Sequence, residues 1–212
     1  MSEKRKIYKN ASVFDSKTGI FNEKTTMVIS GNKFEWVGST DDFTKNDGDE
    51  IIDLSSKYVL PGLIDCHIHL QFQMGLNFER DLVNTQQEMF HFYALQNAQK
   101  HLAAGFTTVR DVGAMIYGMS SLKRVFHEKL YAGPRLVIGN KTLHQWGRQE
   151  NEAPEFLMKT RRKEIPSGKD GMIHTVRENK HHGSDVIKIE ATGGVLHGLH
   201  SQLDNSFLQM KN

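Results

Sequence analysis

An α/β fold built on a parallel sheet is the fold class that this sequence of 212 residues predicts. Two observations support it. A lead-in rich in short strands contains no convincing helix, and the rest of the chain alternates apolar strands with helical stretches that stop at glycines. Hydrophobic residues make up 38% of the chain and charged residues 25%, a composition typical of a globular protein.

The lead-in, residues 1–60, consists of short apolar segments separated by turn formers such as Gly31-Asn32. This spacing predicts a small antiparallel β unit, which we treat as a first domain ahead of residues 61–212. Its predicted strands span residues 6–14, 26–30, 34–37 and 50–54.

In the second region, strands are predicted at 63–66, 106–112, 135–139 and 185–191, and helices at 85–104, 120–131 and 171–182. Thr85 and Glu88 have the spacing of a capping box, which predicts that the first helix begins at Thr85. The polar stretch 140–169 has no clear element, which is typical of a functional loop.

Two histidines, His67 and His69, follow the first of these strands. Side chains two residues apart in a strand point to the same side, so the two imidazoles are expected side by side, with Asp65 on the same face. Paired imidazoles favour a site for zinc or a related divalent ion. Two exposed or hydrogen-bonded histidines without a metal are the alternative.

Lys188 interrupts an apolar strand, on the face opposite Ile187 and Ile189. A strand covered by helices is buried on both faces, and a buried lysine is costly unless it is paired or modified. One solution is carboxylation of the amine, which would create an anionic metal ligand. The others are pairing with Glu190 or Asp111, or a side chain that extends out to water.

Four segments carry a family resemblance: "PGLIDCHIHL", "GFTTVRDVGA", "AGPRLVIG" and "DVIKIEATGGV". In this order they resemble the amidohydrolase superfamily, and within it the imidazolonepropionase-like group that includes Xaa-Pro dipeptidases (prolidases). The resemblance implies a partial (β/α)8 TIM barrel of about four βα units. It also implies that residues 1–60 are the N-terminal part of a composite β-sandwich and that residues 61–212 are the first half of the barrel.

The resemblance also implies a reaction and its metal centre. His67 and His69 match the first two metal ligands, and Lys188 matches a carboxylated lysine that bridges two metals, zinc or alternatively manganese, iron or cobalt. Metal-activated hydroxide would hydrolyse C–N bonds of small amides, dipeptides or cyclic amides. A catalytically inactive fragment, or a non-catalytic partner subunit that keeps the scaffold, is the alternative.

Three further residues are candidates for substrate binding. Arg110, at the end of the second barrel strand, could hold a substrate carboxylate. His144 follows the third strand, and Tyr117 could line a pocket. An ion pair for Arg110 and ordinary packing for Tyr117 are the alternatives. Cys66, which lies between Asp65 and His67, is predicted to be a small core residue.

The family's remaining ligands and its general base have no counterpart after Lys188, where the sequence is polar and contains His197, His200 and Asp204. We therefore expect the chain to be a fragment, inactive alone, that needs a second half-barrel, a partner chain or self-association. A net charge of +2 gives no reason to expect a nucleic-acid partner. The single cysteine and the absence of a signal peptide or apolar span predict a cytoplasmic protein without membrane contact.

Overall fold

Two separate β-sheets organise the computed structural model, which describes residues 5–73, 75, 84–144, 166 and 168–190. The chain divides into two compact units, Met1–Pro61 and Gly62–Asn212, and each unit contains one of the sheets. In the part of the chain that the structure describes, no helix is long and apolar enough to span a membrane.

The N-terminal unit contains a five-stranded mixed sheet. The first three strands pair as antiparallel neighbours, but the last two run parallel to the first, so the prediction of an antiparallel unit is wrong for them. The connection after the third strand, which includes a 3-10 turn at Thr40–Asp42, lets the chain cross over and return in the parallel sense. The strands are β1 (Arg5–Asp15), β2 (Ile20–Ser30), β3 (Lys33–Ser39), β4 (Glu50–Asp53) and β5 (Tyr58–Val59).

The second unit alternates strands and helices, as the sequence predicts. The three strands described in this unit form a parallel sheet in the order β6-β7-β8, and parallel neighbours need crossover connections, which here include helices. The elements are β6 (Leu63–Ile68), α1 (Met89–Ala103), β7 (Phe106–Asp111), α2 (Met119–His127), β8 (Arg135–Ile138) and α3 (Gly168–His181).

The core of this unit lies between the sheet and the helices. Small side chains of α1, Ala94 and Ala98, let the helix pack closely against apolar strand residues. Helix α1 begins at Met89, and Glu88 before it makes no side-chain capping bond, so the predicted capping box is wrong. The buried core residues are Ile68, Leu70, Ala94, Ala98, Val109, Ala114, Met119, Leu122, Leu136 and Ile138.

The predicted fourth strand is present only as an extended segment with one isolated bridge, in which Leu143 pairs in parallel with Ile189. The Leu143 N–H donates to the Lys188 carbonyl at 2.8 Å, and the Glu190 N–H donates to the Leu143 carbonyl at 2.9 Å. Closer to β8, the Ile138 N–H is bonded to a carboxylate oxygen of Asp185 at 2.9 Å, which replaces a ladder bond and breaks the regular pairing.

A buried amide, Asn140, fixes where this segment starts. Its Nδ2 donates to Ser184 Oγ at 2.8 Å and to the His182 carbonyl at 3.2 Å, so the end of β8 is tied to the end of α3. Its φ of 49° lies in the left-handed region, which asparagine tolerates better than most residues. From this point the segment bonds first to Ile138 of β8, through Asp185 and Val186, and then to Leu143, through Lys188 and Glu190.

Candidate metal centre

His67 and His69 lie at the carboxyl end of β6, and their ring centroids are 5.4 Å apart with an interplanar angle of 70°. Alternation along the strand places both rings on one side, as predicted. Zinc–nitrogen bonds of about 2.0–2.1 Å to two imidazoles on one ion put the ring centroids roughly 5 Å apart. The observed separation therefore fits a pair of ligands to one cation.

The His69 ring is half-buried and held from two sides. Its Nδ1 lies 3.0 Å from the Gly113 carbonyl oxygen, and its face stacks on Phe72 with centroids 5.1 Å apart. A carbonyl oxygen can only accept, so Nδ1 carries the hydrogen and Nε2 keeps the lone pair. His67 is exposed, and its backbone N–H donates to Asp65 Oδ1 at 3.0 Å.

Lys188 is half-buried, as is Glu190 on the same face, whereas Ile187 and Ile189 on the other face are exposed. Burial lowers the pKa of His69 below its ordinary value, and the positive charges of His67 and Lys188 lower it further, while Glu190 acts in the opposite sense. A lowered pKa keeps this imidazole neutral, which is the form that binds metals.

No group of three or more His, Cys, Asp or Glu side chains within the described ranges is arranged to hold a metal ion. Within those ranges, His67 and His69 therefore form a pair without a third ligand of these types. Residues 191–212, with His197, His200 and Asp204, lie outside the described residues, as do residues 145–165 of the polar stretch.

Asp111 also belongs to the site region. Sequence reasoning considers it only as a possible pairing partner of Lys188. This last residue of β7 is fully buried, and its carboxylate accepts from the Leu70 N–H at 2.7 Å and from the Gly113 N–H at 3.2 Å. Burial raises its pKa to about 6 although both N–H bonds act to lower it. The only signal in the sequence was a carboxylate at the end of a predicted strand.

Arg110 lies near the end of β7, as predicted, whereas Cys66 does not lie where it is expected. The Arg110 Nε donates to the Cys66 carbonyl at 2.7 Å, which links β7 to β6, and the guanidinium is exposed. Cys66 is exposed and not a core residue, so that prediction is wrong. Its neighbour on the same strand face, Ile64, is 64% exposed, so the described helices do not cover this end of β6.

Tyr117 packs against α3 in the structure. Its ring stacks on His182 at a centroid distance of 3.8 Å, and its hydroxyl lies 3.4 Å from Glu178 Oε2. His144 is half-buried directly after Leu143, the residue that pairs with the segment carrying Lys188. His144 thus directly follows the residue that bridges to Ile189, the neighbour of Lys188. Tyr117 instead contacts α3 and the residue that follows it.

Comparison with known proteins gives a consistent result. Residues 58–211 match the model described as the amidohydrolase family. An imidazolonepropionase of Pseudomonas savastanoi pv. phaseolicola is 42% identical over 50 residues, which cover 24% of this chain and 12% of that protein.

Solved structures match over a longer part of the chain. A prolidase complexed with N-methylphosphonate-L-proline is 27% identical with a TM-score of 0.78, over 96% of this chain and 50% of that one. A Xaa-Pro dipeptidase with methionine bound in its active site is 26% identical with a TM-score of 0.73, over 91% of this chain and 48% of that one. The chain thus spans about half the length of these structures.

The raised pKa of Asp111 predicts a fall in stability as the pH rises. Its pKa is 3.8 when unperturbed and about 6 in the folded chain, so between these values the folded state holds a proton that the unfolded state has lost. The free energy of unfolding should therefore decrease from about pH 4 to pH 6, by at most about 3 kcal/mol. Urea unfolding of metal-free protein across this range measures it.

Asp111→Asn is the matched control for this prediction, since its side chain cannot ionise and no titratable histidine is substituted. The difference between wild type and variant isolates the carboxyl group, and the decrease should be missing in the variant. The same pH slope in both proteins would show that Asp111 is not the titrating group.

Proposed function

Since the chain belongs to the amidohydrolase family, we propose that it supplies part of a metal centre that hydrolyses C–N bonds of small amides. One observation carries this proposal: the rings of His67 and His69 lie 5.4 Å apart at the carboxyl end of β6, a separation that suits two ligands of one cation. Sites in α/β folds form at the carboxyl ends of parallel strands, where His67 and His69 lie, and Lys188 would join them as a third ligand.

His67 and His69 would hold a divalent cation, zinc or alternatively manganese, iron or cobalt, because imidazole accepts all of these ions. Such a cation supplies positive charge that polarises a carbonyl group and acidifies water. Neutral Lys188 would add through Nζ to carbon dioxide, forming an N–C bond and releasing one proton to solvent. The resulting carbamate offers two anionic oxygens, enough to serve two cations.

The substrate class follows from the relatives and from Arg110. Imidazolonepropionase and prolidase relatives support a cyclic amide, an Xaa-Pro dipeptide or another small amide as substrate. The exposed Arg110 guanidinium has further N–H donors besides the one bound to Cys66, and these suit a substrate carboxylate. His144 and Tyr117 remain weaker candidates for substrate contact.

We also propose that the second unit forms about four βα units of a (β/α)8 barrel, and that the N-terminal unit is one part of a β-sandwich. A closed barrel takes about 250 residues, and the chain covers half of the prolidase structure. Apolar side chains on β6 and beside β8 are exposed, as expected for surfaces that a second half-barrel, a partner chain or a second copy would cover. These residues are Leu63, Ile64, Ile187 and Ile189.

A non-catalytic scaffold, either an inactive fragment or a partner subunit, is the second candidate function. It is favoured by the observation that no full set of metal-binding side chains occurs among residues 5–73, 84–144 and 168–190. The two candidates differ in metal binding, because only the hydrolase reading requires His67 and His69 to act as ligands.

Zinc binding to the purified chain tests the metal centre. In bicarbonate buffer, His67→Ala and His69→Ala should each weaken zinc affinity by about 100-fold, since one of few ligands is lost, and calorimetric titration measures this loss. His181→Ala is the matched control, because this exposed histidine at the end of α3 lies outside the proposed centre. Equal affinity in all four proteins would exclude the proposed site.

Hydrolysis by the chain alone should be undetectable. We expect this because the family resemblance assigns the general base, which transfers the proton, to no residue of this chain. An assay with an alanyl-proline dipeptide, the zinc-loaded chain and a chelator-treated blank measures this. Metal-dependent turnover by the monomer would contradict the need for a second half of the barrel.

A further inference from the structure

The loops after β6 and β7 begin close together at the carboxyl end of the sheet. One buried carboxylate accepts hydrogen bonds from both. Asp111 Oδ2 accepts from the N–H of Leu70, the residue after His69, and Asp111 Oδ1 accepts from the N–H of Gly113. The side chain is fully buried and sits where water cannot replace either bond. Asp111 therefore fixes the backbone on both sides of the His69 ring.

Gly113 completes the connection to the imidazole. Its carbonyl oxygen lies 3.0 Å from His69 Nδ1. A Cβ at this position would lie 2.9 Å from both Cε1 and Nδ1 of the His69 ring and 2.9 Å from Thr142 Oγ1, so only glycine lets the backbone approach the ring this closely.

We propose that Asp111 and Gly113 form a clamp that sets both the orientation and the tautomer of His69, and thereby selects Nε2 as its metal-binding nitrogen. The role of the clamp in metal binding rests on the proposed metal centre. The clamp itself is a property of the metal-free protein. Asp111 is a positioning residue: it acts on His69 through the backbone of Leu70 and Gly113 and does not touch the metal.

Asp111→Asn removes one of the two acceptors, because an amide offers one oxygen and one NH2 group. One backbone N–H then faces the amide NH2 group, which is itself a donor. The Gly113 carbonyl oxygen is no longer held at His69 Nδ1. Gly113→Ala disturbs the same contact from the other side while Asp111 stays intact. The second variant keeps the inference testable if the first does not fold.

The clamp predicts a spectroscopic signature that a loss of stability alone would not produce. Nitrogen chemical shifts of His69, recorded above the ordinary histidine pKa of about 6.5 and assigned with His69→Ala, report which ring nitrogen carries the hydrogen. Wild type should show a single Nδ1–H tautomer, and both clamp variants should show a mixture. Zinc affinity should fall by about 10–100-fold in both.

Leu136→Ala is the control for stability, because Leu136 is a buried core residue of β8 with 3% exposure and makes none of the clamp's contacts. It should retain the single tautomer and the wild-type zinc affinity. Retention of the Nδ1–H tautomer by both clamp variants would overturn the inference. A tautomer change in them, with no zinc binding by wild type, would support the clamp and refute the metal centre.

Discussion

Parallel pairing that brings the strand ends level is the constraint on which the rest of the second unit depends. Ile68, Asp111 and Ile138 lie side by side at the ends of β6, β7 and β8. Backbone bonds continue this row beyond the strands, from the Val112 N–H to the Ile68 carbonyl at 3.0 Å and from the Gly139 N–H to the Asp111 carbonyl at 2.8 Å. Because the strands end together, the loops that carry the chemistry start together.

Buried polar side chains then hold these loops in place. Asp111 binds the turns after β6 and β7, and Asn140 binds the end of β8 to the end of α3. Asn179 on α3 is also fully buried and donates to the Lys141 carbonyl at 3.0 Å. Burying such groups costs stability unless each finds partners. These buried groups lie in the region that positions His69 and the Lys188 segment, and their hydrogen bonds offset part of the loss of stability.

Local features could be predicted from the sequence, and features that depend on distant contacts could not. The shared face of His67 and His69 follows from strand alternation alone, and the stop of α1 follows from Gly105 with its φ of 94°. The family resemblance read from four short motifs is confirmed by the match over residues 58–211. Each of these signals lies within a few neighbouring residues.

The wrong predictions share one cause. Cys66 was expected in the core, but burial depends on which elements cover the strand face, and the described helices leave it open. The capping box at Thr85 fits by spacing, yet α1 begins at Met89, where packing of its apolar face starts. The parallel return of β4 and the role of Asp111 depend on residues more than thirty positions away in the chain.

The most direct test of the metal centre is a crystal structure of the chain grown with zinc and bicarbonate, with anomalous diffraction recorded at the zinc edge. The account predicts an anomalous peak bonded to the Nε2 of His69 and to His67, with carbamate density on Lys188 facing it. A peak only at another histidine pair, such as His181 and His182, with Lys188 turned away from His69, would contradict it.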